Sequence, residues 1–159
     1  MGKESERIQA IIGLVDFDET AEFWDLCCDH GYIGLFAAKR GAKKVVFVDQ
    51  LKHIMARLEM SVEDMSYQFS ECDFEFLTQD VKSFELPLNN QINILAGVGG
   101  DLMIEVLKTN PRQKFILNPY KDEARLREYI EASEFQITAD FGVLERGRKR
   151  PVIQVVPNS

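Results

Sequence analysis

Two carboxylates, Asp25 and Asp49, each sit at the end of a short apolar run, and a polar turn lies between them. The first run, Phe23-Trp24-Asp25-Leu26, passes into Cys27-Cys28-Asp29-His30-Gly31-Tyr32 and then into the small-residue stretch Leu35-Phe36-Ala37-Ala38. That profile is a first β-strand delivering its C-terminal end, and then a helix N-terminus, to a ligand. The second run, Lys44-Val45-Val46-Phe47-Val48, ends in Asp49. In doubly wound nucleotide-binding sheets an acid at that point receives ribose hydroxyls. Farther on, Ile92–Ala96 opens into Gly97-Val98-Gly99-Gly100, and so many glycines at a strand end favour close approach to a ligand.

The chemistry these groups allow is narrower than "nucleotide". There is no Walker A sequence, and no Gly-x-Gly-x-x-Gly follows the first strand, so the pyrophosphate-binding readings lose their support. Acids at the strand tips would repel phosphate and accept hydrogen bonds from hydroxyls. S-adenosylmethionine, with a sulfonium, an ammonium, a ribose and an adenine, meets that description. Simpler readings stand beside this one. Asp29-His30 could serve only as a helix-capping turn. His30 with Cys27, Cys28 and Cys72 could suggest zinc, but adjacent cysteines lack ligand spacing, and no metal is expected. Cys28 and Cys72 read as small buried fillers, and His53 as structural.

Several elements must position these groups. Ile8, Ile11, Ile12 and Val15 repeat at helical spacing, which predicts a helix ahead of the first strand, within residues 1–20. Leu51, Ile54, Met55, Leu58, Val62 and Met65 form another core-facing helical stripe. Phe74–Thr78 reads as a third strand closed by Gln79-Asp80, and residues 82–91 as loop. A helix led by Asp101 stops at Asn110-Pro111. Lys114–Leu117 is a fifth strand running into Asn118-Pro119-Tyr120, and a helix from about Asp122 to Ser133 follows. Phe135–Val143 and Pro151–Val156 alternate as a hairpin within residues 134–159. This order predicts an α/β fold. Its sheet is doubly wound, mainly parallel and seven-stranded, with helices on both faces and a C-terminal antiparallel hairpin.

With 159 residues, 45% hydrophobic and 28% charged, the chain reads as one domain with a substantial core. Three cysteines and a polar N-terminus point to a reducing, cytoplasmic setting, and no apolar run approaches membrane-spanning length. The net charge of −7 argues against nonspecific coating of nucleic acid. Arg146, Arg148, Lys149 and Arg150 form the one dense cationic cluster, readable as a solvated hairpin tip or as a phosphate-contacting corner.

The motifs together carry a resemblance. Asp25-Leu26-Cys27-Cys28-Asp29-His30-Gly31-Tyr32-Ile33, followed by Leu95-Ala96-Gly97-Val98-Gly99-Gly100, resembles the bacterial tRNA adenine-22 N1-methyltransferase family. Leu117-Asn118-Pro119-Tyr120, Leu126-Arg127, Arg7–Ile11 and Glu145 with Val152-Ile153 also sit where comparable family segments would. The resemblance implies a class I methyltransferase-like fold and an S-adenosylmethionine cofactor. Asp25, Cys27, Asp29, His30, Gly31 and Tyr32 would line the methionine end, Asp49 would take the ribose hydroxyls, and Gln50 and Asp80 would meet the adenine. Ala96, Gly97 and Gly99 would form the floor near the methyl group. Asp29 and Asn118 are the expected catalytic residues, Tyr120 would stack on the base, and tRNA would contact Arg146, Arg148, Lys149 and Arg150. Three departures are visible: Cys27 stands where the family has a glycine, Gln79-Asp80 replaces a Gly-Asp-Gly, and the family's further helical domain is not in this sequence. Oligomeric state stays open. So do a small-molecule or protein acceptor, and a noncatalytic binding module.

Overall fold

The computed structural model describes residues 4–69 and 71–158. Helix α1 (Glu6–Ile12) precedes strand β1 (Glu22–Leu26) and helix α2 (Tyr32–Lys39). Strand β2 (Lys44–Asp49), helix α3 (Lys52–Asp64), a short 3-10 turn and strand β3 (Asp73–Thr78) come next. The second half comprises β4 (Gln91–Ala96), α4 (Gly100–Thr109), β5 (Phe115–Asn118), α5 (Glu123–Ala132), β6 (Phe135–Glu145) and β7 (Arg148–Pro157). All seven strands form one sheet in the order β3-β2-β1-β4-β5-β7-β6. Pairings from β3 through β5 are parallel, and β7 is antiparallel to both of its neighbours. The predicted fold class is the observed one.

Alternation along the strands divides the interior in two. Phe23, Val45, Phe47, Ile94 and Ile116 point to the face covered by α1, α2 and α3. Trp24, Leu26, Val46, Val48, Leu95 and Leu117 point to the face covered by α4 and α5. The central strands are therefore apolar on both sides, as parallel strands sandwiched by helices must be. Helix α2 ends where the sequence indicated. Gly41, at φ 115°, follows the Arg40 cap, and the Ala42 and Gly41 amides donate to the carbonyls of Ala37 and Ala38.

No helix crosses from β3 to β4; that connection is an irregular segment, as expected from Pro87 and Asn89-Asn90. Buried amide side chains anchor it. Asn110 Oδ1 accepts from the Leu86 amide at 2.8 Å, and Gln113 Nε2 donates to the Leu86 carbonyl at 3.2 Å. Val81 and Leu86 are buried against the α4 face. Asn110 thus ends α4 and also holds the loop, its Nδ2 donating to the Val106 carbonyl.

The hairpin is longer than its alternation indicated. Ladder pairing between β6 and β7 continues to Glu145 opposite Arg148, leaving Arg146-Gly147 as the turn, both at positive φ. Two left-handed residues give the hairpin turn whose twist matches the strands. The basic residues therefore lie mostly on β7 itself. No helix among the described residues is long and apolar enough to cross a membrane.

Replacing Asn110 with Ala strands the buried Leu86 amide without its acceptor. Urea unfolding should show a loss of about 2 kcal/mol, against little change for a substitution at exposed Asn89.

Candidate active site

The sheet order reverses between β1 and β4, and doubly wound folds bind ligands in the crevice beyond the strand ends at such a point. Register sets Leu26 beside both Val48 and Leu95, so the turn after β1, Asp49 and Ala96 lie in one row. A cleft of about 390 Å³ opens there. Asp25, Cys27, Asp29, His30, Gly31, Tyr32, Ala96 and Gly97 all line it.

Asp25 is 3% exposed, and its Oδ2 accepts from the Gly34 amide at 3.0 Å. Gly34 is in the first turn of α2, whose cap residue, Gly31, contributes no side chain. The strand acid thus supplies the carboxylate that a helix N-terminus usually receives from its own cap. Asp29 does not cap the helix, so the capping-turn reading fails. Burial pushes the Asp25 carboxyl up to about 7; the Gly34 hydrogen bond and nearby Arg7 oppose that rise, and Asp49 adds to it. Asp49 bridges two turns, Oδ2 accepting from the Asp29 amide at 3.2 Å and Oδ1 from the Leu51 amide at 3.0 Å. Each of its oxygens retains a lone pair for a further donor.

The turn itself is unusual. Cys27 and Asp29 have φ of 56° and 47°, and Gly31 has 75°. Left-handed backbone costs a cysteine about 1–2 kcal/mol that glycine avoids. Cys27 has kept the conformation of a glycine position without the glycine. Burial first, and then Asp49, Asp25 and Asp80, push its thiol up to about 12, so it is neutral and a poor nucleophile. Asp29 and His30 are open to solvent, with Asp29 Oδ2 3.7 Å from His30 Nε2, and the His30 ring stacks on Tyr32 at 5.6 Å.

The glycines after β4 divide in role. Gly97 has φ 75°, and nothing lies within 4 Å of where a Cβ would project. Gly100 is different: a Cβ there would strike the Asp122 carbonyl. Its smallness serves packing within the chain and not the close approach to a ligand that the glycine-rich strand end favours. Gly97 and Gly99 also line a second cleft of about 440 Å³, with Tyr120, Lys121 and Asp101 on its other side. The two clefts meet at Gly97 and Val98.

Other expected residues stand apart. Asn118 is 2% exposed, its Oδ1 accepting from Arg7 and its Nδ2 donating to the Pro151 carbonyl, so both polar atoms are engaged behind the cleft. Gln50 is exposed and lines neither cleft. Asp80 is near enough to raise the Cys27 thiol, but its Oδ1 accepts from the Lys82 amide. His53 is exposed on α3, not a core residue. Cys28 is buried beside Met55, whereas Cys72 is only half-buried. Strand alternation also splits the basic cluster. Arg150 donates to the Tyr120 carbonyl at 3.2 Å, while Lys149 turns to the opposite side with Arg127 and Asp140. Arg7, given no role in the sequence beyond its place in a family-like segment, lines the cleft from α1.

Two outcomes follow from this geometry. Cys27→Gly should raise stability by about 1 kcal/mol in chemical denaturation, since it removes left-handed strain. Asp25, raised above its unfolded value, makes the folded protein bind more protons than the unfolded chain between about pH 4 and pH 7. Stability from this group is full below that window and declines as pH rises through it. Asp25→Asn should abolish the decline, so the difference between variant and parent grows toward neutral pH by a few kcal/mol, roughly.

The chain matches known proteins along most of its length. The profile of a family described as "Methyltransferase domain" covers residues 4–153. A Mycoplasma pneumoniae protein with the provisional name of tRNA methyltransferase is 27% identical over 146 residues, 89% of this chain and 66% of that protein. The chain thus spans about two thirds of the length of the curated relatives it matches, 66% and 68%. Among solved structures, the B. subtilis M1A22 tRNA methyltransferase TrmK aligns at TM-score 0.79 and 18% identity, covering 98% of this chain and 67% of its own. M. capricolum TrmK in complex with S-adenosylhomocysteine aligns at 0.80 and 15%, covering 97% and 69%. With the family profile matched from the start of α1 into β7, this chain belongs to the methyltransferase-domain family.

Proposed function

We propose that the protein is an S-adenosylmethionine-dependent methyltransferase acting on an RNA base, with N1 of a tRNA adenine as the acceptor. The observation that carries this reading is the cleft shared by the turn after β1 and the end of β4 at a left-handed, unobstructed Gly97, which opens into a second cleft beside Tyr120, with Asp49 of β2 bonded to the same turn. The residues present suit the cofactor. Carboxylates without a competing phosphate cradle favour hydroxyls and cationic groups, and a cleft of this size is ordinary for a small-molecule site. Asp49 would receive the ribose hydroxyls, and Asp25 and Asp29 would face the positive charges. Gln50 and Asp80 remain the nearest candidates for the adenine edge.

When bound, the cofactor supplies a methyl group activated by a sulfonium. The chain's own work is orientation and charge. Tyr120, 49% exposed, offers a face on which a base can stack. Asp29, exposed at the cleft mouth, would stabilise the positive charge that N1 alkylation leaves on adenine. Asn118 acts from behind by holding Arg7 and the start of β7. The neutral Cys27 thiol takes no chemical part.

The hairpin supports a nucleic-acid acceptor. β5 pairs with β7 only as far as Ile153, while the β6–β7 ladder continues to Arg148. At about 3.3 Å per residue, the hairpin projects roughly 15 Å past the strand ends that bear the cleft. Arg146, Arg148 and Arg150 ride on that projection, with Lys149 on its reverse, at a corner suited to phosphates. A tRNA acceptor also fits a cytoplasmic location. The sheet and its terminal hairpin, residues 1–159, would then serve as one catalytic unit.

The test is incubation with methyl-labelled S-adenosylmethionine and total tRNA, followed by mapping of the modified base. Label should appear at adenine N1. Asp29→Asn should lower turnover at least tenfold, roughly, a larger factor than any loss of cofactor affinity in the same variant. Label confined to protein or small-molecule pools would refute the RNA acceptor, and binding without transfer to any pool would refute the enzyme. Full turnover in the Asp29 variant would refute its role.

A further inference from the structure

A groove of about 360 Å³ leaves the main cleft and runs between α2 and α3. Asp29, His30 and Tyr32 line both, so the two are continuous at the turn after β1. The Tyr32 ring is 48% exposed and stacks on His30, while Leu35, Ile54 and Leu58 give the groove an apolar wall. Arg57 lines the same groove from α3. It is exposed and has no hydrogen-bond or ion-pair partner among the described residues.

Charge along α3 runs against the helix dipole. Lys52 opens the helix and Arg57 follows in its second turn, whereas Glu63 and Asp64 close it. A helix favours acids in its first turn and cations in its last, so this order is unfavourable on its own. Neighbours within the helix do not offset it, because neither Lys52 nor Arg57 has an acid three or four residues away in α3. A local rule broken with no compensation inside the fold points to something outside it.

The chemistry of the groove is mixed. An exposed aromatic ring beside an apolar wall suits the face of a base, and a free guanidinium suits phosphate. Asp29 and Asp64, which also line the groove, suit the amino groups of a base and disfavour a bare anion. Together these groups match a nucleotide. The base to be methylated is placed above on the Gly97 side, beside Tyr120, so a nucleotide here is a different one.

We infer that the groove between α2 and α3 seats a second, unpaired nucleotide of the RNA. Its base lies against Tyr32 and its phosphate on Arg57, and Lys52 contacts a neighbouring phosphate. The inference rests on the RNA acceptor proposed above. With α3 on the β2 side of the sheet and the hairpin at its other end, the RNA backbone is held on both sides of the cleft.

The test is binding of total tRNA across a salt series, with calorimetric binding of S-adenosylhomocysteine as the control. Arg57→Gln should weaken tRNA about fivefold and reduce the slope of log K against log salt by about 1 in magnitude, and Lys52→Gln should do the same. Ser61→Trp fills the groove from an exposed position on α3. It should weaken tRNA about tenfold and leave the slope unchanged. All three variants should bind S-adenosylhomocysteine as the parent does. Tight tRNA binding unchanged by Arg57→Gln or by Ser61→Trp would overturn this inference alone. Weakened S-adenosylhomocysteine in either variant would also overturn it, because the groove would then belong to the cofactor. A parent that binds S-adenosylhomocysteine but no tRNA would overturn the RNA acceptor with it.

Discussion

The bond from the Gly34 amide to the Asp25 carboxylate holds the site in shape. A buried acid in a sheet core is unfavourable unless it is hydrogen-bonded, and here it is satisfied by the open end of a helix. That contact fixes where α2 begins relative to β1. It therefore fixes the path of Cys27 through Gly31, which must reverse direction within a few residues and does so through alternate left-handed positions. Asp49 then fastens the same turn to β2 through the Asp29 amide. The two acids that the chemistry needs are also the two that build the turn. Function and fold compete for their lone pairs, and the geometry leaves Asp49 with capacity to spare while Asp25 stays nearly buried.

Charge is distributed to match. The protein is acidic overall, and Asp25, Asp29, Asp49 and Asp80 stand at or just beyond strand tips, where hydroxyls and cations would be received. Its dense basic cluster, Arg146, Arg148, Lys149 and Arg150, is carried outward on an extended hairpin, beyond the edge of β5. Arg7 is the exception that joins the two regions, drawing Glu145 of β6 toward the cleft. Separation of this kind lets one small domain present opposite potentials to a small cation and to a polyanion.

Strand ends were legible in the sequence because the physics there is local. Apolar runs closed by Asp25, Asp49 and the glycines after Ala96 could only be strands delivering polar groups to one edge. Side-chain orientation was less legible, since it depends on neighbours far away in the chain. Asn118 looked like a base-contacting residue, yet register turns it inward to Arg7 and Pro151. Gly100 belongs to a glycine run that favoured a ligand as a whole, and only the packing shows that it is where α4 meets the Asp122 backbone. Arg7 was not singled out, because a helical stripe that sets α1 beside the turn does not say which of its polar side chains faces the cleft. Cys27 was marked as a departure from a glycine, but only the backbone shows that the left-handed turn persists without one.

The central claim is that the tips of β1, β2 and β4 form one cofactor cleft. A crystal structure of the chain with S-adenosylhomocysteine tests it most directly. Density is expected with the ribose against Asp49, the amino-acid end beside Asp25 and Asp29, and the sulfur beside Gly97. Density in the groove between α2 and α3, or a crevice beyond β1 closed by the protein's own side chains, would contradict it.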